Sequence, residues 1–162
     1  MRLVLFEPDI PQNVGAMIRL GACLGIPIEI IEPCAFPLSD KGLRRVALDY
    51  LHRASIRRHI SWRSFAAERA PNQRWVLLTK KAAIPAHRFA FAPDDALIVG
   101  RESQGAPEYL HAAADARVIV PMVAGVRSLN VVTAAAIVLG EALRQTDGYP
   151  RVEKESHGQD VG

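Results

Sequence analysis

The chain holds only two cysteines in 162 residues, Cys23 and Cys34, and they form neither a C-x-x-C pair nor a zinc-ligand spacing. A disulfide framework is therefore not expected, and a reduced, cytoplasmic protein is the simplest reading. Long apolar runs are missing as well. No stretch reaches the ~18 consecutive apolar residues of a membrane span. The apolar run in the opening "MRLVLFEPD" is too short for a secretory signal. The five histidines show no metal-ligand spacing and none adjoins a candidate nucleophile, so neither a metal nor a histidine role is expected. There is no G-x-G-x-x-G, and no glycine loop runs into Lys-Ser/Thr. That sets aside an ordinary dinucleotide-binding dehydrogenase and a P-loop nucleotide hydrolase. Nor is one sign of charge in large excess: 20 basic residues face 17 acidic ones, a net +3. Such a balance permits an anionic partner such as nucleic acid without requiring one.

What is present is an alternation. Short apolar runs at 2–6, 28–31, 75–79, 96–100 and 117–121 read as buried strands. Helical patterns at 13–25, 40–50, 61–69, 106–113 and 129–145 lie between or after them. This order predicts an α/β fold with a mainly parallel sheet and helices on both faces. The strands are continuously apolar rather than alternating, as a sheet covered on both sides requires. The length suits one domain, expected over 1–149. From Pro150 the chain reads "PRVEKESHGQDVG", almost without apolar residues, and disorder is expected there.

Ligands in open parallel sheets sit at the carboxyl ends of the strands, and the polar, glycine-bearing segments fall there. In "PQNVGAMIRLGACLG", Asn13 is either a helix cap or a site residue. Arg19 stands alone in an otherwise apolar helix, where a carboxylate or phosphate partner is the usual explanation. In "GRESQGAP", Gly100 ends a strand, Gly105 allows an unusual turn and Pro107 suits a first helical turn; Glu102 is either simply exposed or functional. In "PMVAGVRSLN", Ser128 reads as the cap of the last helix. Asn130 would then fall inside the first turn, where asparagine has no local advantage. That asymmetry favours a site. "SDKGLRRVALDY" is a helix capped by Ser39 or Asp40, and with "LHRASIRRH" it makes the densest basic region. Lys41, Arg44 and Arg45 are candidates to contact RNA phosphates there, followed by Arg53, Arg57 and Arg58.

Three blocks in register, "EPDIPQNVGAMIRLGACLG", "LIVGRESQGAPEYL" and "VIVPMVAGVRSLNVVTAAAIVLGEAL", resemble the SPOUT class of RNA methyltransferases. The segment "IEP…DKGLRRVALDY" narrows the resemblance to its small single-domain branch, which methylates the ribose 2′-oxygen of the wobble nucleotide, position 34, in the anticodon loop of tRNA. The resemblance covers about residues 2–149. It implies a C-terminal trefoil knot, which periodicity does not reveal, since chains as a rule avoid knots. It implies S-adenosylmethionine as cofactor, held by Leu78, Thr79, Gly100, Gly105, Val120, Met122, Ser128 and Leu129. It carries the catalytic roles to Asn13, Arg19, Glu102, Ser128 and Asn130. Arg19 would act at the 2′-hydroxyl, either as base with help from the RNA phosphate or by orienting phosphate and ribose; Asn13 and Asn130 would position these groups; Glu102 would hold Arg19 or its own loop.

The resemblance also implies a homodimer with the active site near its interface. The residues agree, because helices 13–25 and 129–145 are apolar on nearly every face and need burial on more than one side. Small residues such as Ala16, Gly21, Ala22, Gly25, Ala134, Ala135 and Gly140 would allow close approach. Two departures from the family pattern stand near the expected pocket: Arg101 where proline is common, and Val132-Thr133 where Ser-Asn is frequent. An enzyme acting on another tRNA or ribosomal RNA position, and an RNA-binding module without activity, remain as alternatives.

Overall fold

The computed structural model describes residues 1–38, 47 and 50–152. Among them, seven strands form one parallel sheet. In chain order these are β1 (Arg2–Phe6), β2 (Ile28–Ile31), β3 (Ile56–His59), β4 (Trp75–Leu78), β5 (Ile84–Pro85), β6 (Ala96–Val99) and β7 (Ala116–Ile119). Their spatial order is β3-β2-β1-β6-β4-β7-β5. The helices are α1 (Pro11–Leu24), α2 (Trp62–Ala67), α3 (Glu108–Ala113) and α4 (Val131–Gln145), with a 3-10 turn at Ala86–Arg88.

The central strands have almost no polar side chains because each face is covered. Successive residues point to opposite sides, and the two cores follow that rule. Leu3, Leu5, Ile28, Ile30, Leu97 and Val99 pack against Val14, Met17 and Ile18 of α1 and Val138, Leu139 and Leu143 of α4. Their neighbours Val4, Phe6, Ile31, Leu77 and Ile98 pack against Phe65 of α2 and Leu110 of α3. Phe6, Trp62, Phe65 and Trp75 gather on this second face: Phe65 stacks on Trp75 at 5.4 Å and Trp62 meets Trp75 edge-on at 4.9 Å. One carboxylate enters the sheet interior there. Glu29 is met by His59 Nε2 at 2.8 Å and by Arg2 Nη1 at 2.6 Å, so its burial is compensated.

The expected strands are all present, with ends shifted by at most a few residues. Two were missed. β3 reads "IRRH" and β5 has two residues; both are sheet edges, where one side faces solvent and the apolar signal fades. The helix expected at 40–50, its caps Ser39 and Asp40, and Lys41, Arg44 and Arg45 lie almost wholly outside the described residues. The same holds for the tail beyond residue 152. Gly21, read as a contact between helices, serves the chain's own packing instead. A Cβ there would lie 2.6 Å from Ile28 Cδ1 and 2.7 Å from the Ile26 carbonyl. No described helix is long and apolar enough to cross a membrane. The described residues hold no group of three or more His, Cys, Asp or Glu side chains able to bind a metal.

Candidate functional site

From β1 the strand order runs through β2 and β3 on one side and through β6, β4, β7 and β5 on the other. Parallel sheets hold ligands at the carboxyl ends of their strands. Here the ends of the adjacent strands β6, β4 and β7 frame a cavity of about 290 Å³. Leu78 and Thr79 line it from the end of β4, Gly100 and Gly105 from the loop after β6, and Val120, Met122, Ser128 and Leu129 from the loop between β7 and α4. These are the eight residues that the sequence resemblance carried to a cofactor.

The loop after β6 folds back on itself. Arg101 and Gly105 exchange backbone hydrogen bonds at 3.2 and 2.9 Å, and Gly105 turns the chain at φ +71°. The turn leaves no room beside Gly100, where a Cβ would stand 2.6 Å from Ala106 N and from the Gly105 carbonyl carbon. The segment after β1 pins this loop. Asp9 accepts from the amides of Glu102 and Ser103, each at 3.0 Å, and from the Ser103 hydroxyl. Burial pushes the Asp9 carboxyl up, but these donors outweigh it and hold its pKa below the ordinary carboxylate value. Arg101, the departure from the family's usual proline, forms an ion pair with Glu7. Glu7 holds a left-handed backbone, φ 43°, rare for a side chain with a Cβ and characteristic of functional loops.

Glu102 lines the cavity, and through it three expected site residues form one network beside the cavity. Asn13 Nδ2 donates to Glu102 Oε2 at 3.1 Å, and Asn130 Nδ2 donates to Asn13 Oδ1 at 3.1 Å. The Val131 amide also donates to Glu102 Oε2 at 3.1 Å, which sets a carboxylate at the amino end of α4, where the helix dipole favours it. Asn130 caps the helix: its Oδ1 accepts from Val132 N at 2.9 Å and Thr133 N at 3.4 Å.

This corrects several readings. Ser128 is not the cap; the helix begins two residues later than that role requires, and Asn130 occupies it. Asn13 does not cap α1, which begins with Pro11 after Ile10; it lies in the first turn with its amide free to join the network. Pro107 stands at the cap position of α3 rather than within its first turn. Glu102 engages Asn13 and α4, not Arg19. Arg19 does not line the cavity. Six residues along α1 from Asn13 amount to about 9 Å of rise and roughly 240° of turn. Among the described residues its guanidinium meets an aromatic face, lying 4.8 Å from the centre of the Tyr50 ring. In the basic stretch, Arg57 pairs with Glu68 and Arg58 with Glu32, so both are already answered by carboxylates.

Sequence reasoning passed over Asp9 and His111. Asp9 sits inside a block already singled out, where a carboxylate before a helix looked like an ordinary turn residue. His111 was dismissed with the other histidines, yet it is buried and lines the cavity. Its position four residues after Pro107, on the first turn of a helix leaving the loop, was the available signal.

The model of the SpoU rRNA Methylase family matches residues 1–140. A tRNA (cytidine(34)-2'-O)-methyltransferase from Beijerinckia indica is 52% identical over 151 residues, covering 93% of this chain and 94% of that protein. An Escherichia coli protein of the same name is 39% identical over 153 residues, covering 93% and 96%. A solved structure described as "Structural insights into the 2-OH methylation of C/U34 on tRNA" superposes with a TM-score of 0.84 at 35% identity, covering 89% of this chain and 94% of that one. An S-adenosylmethionine-bound rRNA methyltransferase from Sinorhizobium meliloti shares the fold, with a TM-score of 0.78 at 24% identity over 88% of this chain and 55% of its own.

Proposed function

From the premise that this chain belongs to the SpoU rRNA Methylase family, we propose that it transfers a methyl group from S-adenosylmethionine to the ribose 2′-hydroxyl of the wobble nucleotide, position 34, of tRNA. The observation that carries this reading is the hydrogen-bonded network by which Asn13 and Asn130 meet Glu102, a residue lining a cavity built from three strand-end loops. The names of the relatives support the choice of substrate.

The cavity fits the cofactor. Its walls are apolar side chains and main-chain groups from Leu78, Gly100, Val120, Met122 and Leu129, suited to a purine that stacks on hydrocarbon and needs a few amide partners. The glycine at 100 is forced by the closed turn around it, which brings backbone to the ligand's place. When bound, S-adenosylmethionine supplies a methyl group already activated by its positive sulfur.

What the protein adds is position and field. A ribose hydroxyl is a weak acid and stays protonated at neutral pH, so fixed geometry and nearby polar groups must assist it. Glu102 fixes Asn13 and the start of α4; Asn130 locks to both and, with Asn13, sets the acceptor ribose. Ser128 stands at the same rim. Arg19 grips an RNA phosphate, orienting the ribose from outside the cavity.

The same reading includes a single methyltransferase domain over 1–149 in the cytoplasm, a trefoil-knotted C-terminal part, and a homodimer. The knot rests on the resemblance to the family, whose cofactor loops correspond to those after the neighbouring strands β6, β4 and β7. The dimer is supported by α4: Ala135, Val138, Leu139, Ala142 and Leu143 are buried within the chain, while Ile137 on another face is 47% exposed. Sedimentation should give twice the chain mass at micromolar concentration; a monomer there rejects the dimer. Labelled methyl transfer to bulk tRNA with nucleotide mapping tests the activity. A label at the 2′-oxygen of nucleotide 34 is expected. Transfer to another nucleotide, or cofactor binding with no transfer to any tRNA, overturns the reading.

A further inference from the structure

His111 is a buried residue without a partner in a cavity that needs one. It is 4% exposed, and neither ring nitrogen forms a hydrogen bond with a described residue. Among the described residues the one side-chain nitrogen or oxygen that is both sealed and unsatisfied is Trp75 Nε1. The ring nitrogens of His111 are therefore reached from open space, and the open space that His111 lines is the cavity at the strand ends. Other buried ionisable side chains are answered within the fold: Glu29 by His59 and Arg2, and Asp95 by Arg74 at 2.7 Å. An imidazole open only to the cavity and unanswered by a described residue is free to bond a ligand that enters there.

The cavity is graded. Lys80, Lys81, Glu102, Ser103 and Gln104 are exposed at its mouth, while His111 is deeply buried and Leu78 and Ala106 half-buried. The zwitterionic end of an amino-acid-bearing ligand would lose most by entering the buried side, because bringing unpaired charge out of water costs far more than burying a neutral ring. A neutral imidazole carries one donor and one acceptor. The edge of adenine, with an amino group beside ring nitrogens, offers the complement. We propose that His111 is a hydrogen-bond partner for the adenine edge of S-adenosylmethionine, a side-chain contact added to an otherwise main-chain site. This rests on the cavity being the cofactor site.

The test is calorimetric titration of the whole protein with S-adenosylmethionine and with 5′-methylthioadenosine, which lacks the amino-acid end. His111→Leu should weaken both ligands alike, by roughly 5- to 20-fold, the usual worth of a lost buried hydrogen bond. His111→Gln, which keeps a donor and an acceptor, should recover part of that loss. Melting of the ligand-free variants separates lost binding from lost folding, and the Leu-to-Gln comparison holds if Leu alone unsettles α3. Equal affinity of His111→Leu and wild type for both ligands overturns the proposal. So does a loss confined to S-adenosylmethionine, since the ring would then face the amino-acid end. Failure of the wild type to bind either ligand would instead sink the cofactor reading on which the proposal stands.

Discussion

Asn130 donates its side-chain amide to Asn13 at 3.1 Å, joining two residues 117 positions apart in the sequence. The contact ties the first turn of α1 to the cap of α4, and through Glu102 ties both to the loop that lines the cavity. Each asparagine uses both ends of its amide: Asn13 accepts from Asn130 while donating to Glu102, and Asn130 donates to Asn13 while capping α4. Neither residue can be exchanged for aspartate without placing two acceptors face to face.

The two asparagines should therefore fail differently. Asn130→Ala removes the cap and should cost ~1 kcal/mol of stability, lowering the melting temperature by roughly 2–4 °C for a chain of this size. Asn13→Ala leaves both helices capped as before, so melting should change little while methyl transfer falls by ~10-fold or more through misplaced acceptor geometry. Thermal melts and single-turnover methylation of tRNA decide it. Equal melting losses would show that Asn13 is structural.

Gly100 should be intolerant of even one methyl group. A Cβ would meet backbone of Gly105 and Ala106 at 2.6 Å, and backbone cannot rotate away as a flexible side chain could. Gly100→Ala should cost ~1–3 kcal/mol of stability from overpacking. The shift falls on the loop that lines the cavity, so affinity for S-adenosylmethionine should drop sharply as well. Unchanged affinity by calorimetry would place the cofactor elsewhere.

Much of this was legible beforehand, for identifiable reasons. The buried strands announced themselves through continuous aliphatic runs such as "ALIV" and "IEII", because both faces of those strands are covered. β3 did not, since "IRRH" spends its arginines on Glu68 and Glu32 at an open edge. The cavity-lining residues stood at strand ends, where parallel sheets concentrate ligands. The roles of Ser128 and Asn130 were misassigned because either could cap a helix locally. The choice depended on Asn13, more than a hundred residues away, which no local pattern encodes. Arg19 shows the same limit: a lone charge in an apolar helix signals a partner, but not its kind, and among the described residues the guanidinium meets the ring face of Tyr50.

Asp9 predicts how the loop responds to acid. Its pKa is held below the ordinary carboxylate value by the Ser103 hydroxyl and the amides of Ser103 and Glu102, against the opposing effect of burial. A carboxyl depressed in the native state stabilises fully above its unfolded pKa, ~3.9, and loses that contribution as pH falls through the depressed value. Cofactor affinity should thus show no loss attributable to Asp9 between pH 7 and 5. Asp9→Asn, which replaces one acceptor oxygen by a donor group, should weaken binding already at pH 7. Calorimetry across this range checks both statements, and an Asp9→Asn variant of wild-type affinity would refute them.

Arg19 and Tyr50 make the last prediction. Arg19 lies outside the cavity, so Arg19→Ala should leave S-adenosylmethionine affinity unchanged while abolishing transfer to tRNA. Tyr50 acts through it. An aromatic face is worth ~0.5–1 kcal/mol to a guanidinium at an accessible site, which corresponds to about a 2- to 5-fold change in rate if that orientation matters in the transition state. Tyr50→Leu should lower kcat by this factor, and Tyr50→Phe, which keeps the ring, should restore it. In the Arg19→Ala background the Tyr50 substitutions should have no further effect, because the group they orient is gone. Equal rates for Tyr50→Leu and Tyr50→Phe would show that the ring does not set the arginine. Near-normal turnover by Arg19→Ala would remove that arginine from the reaction altogether.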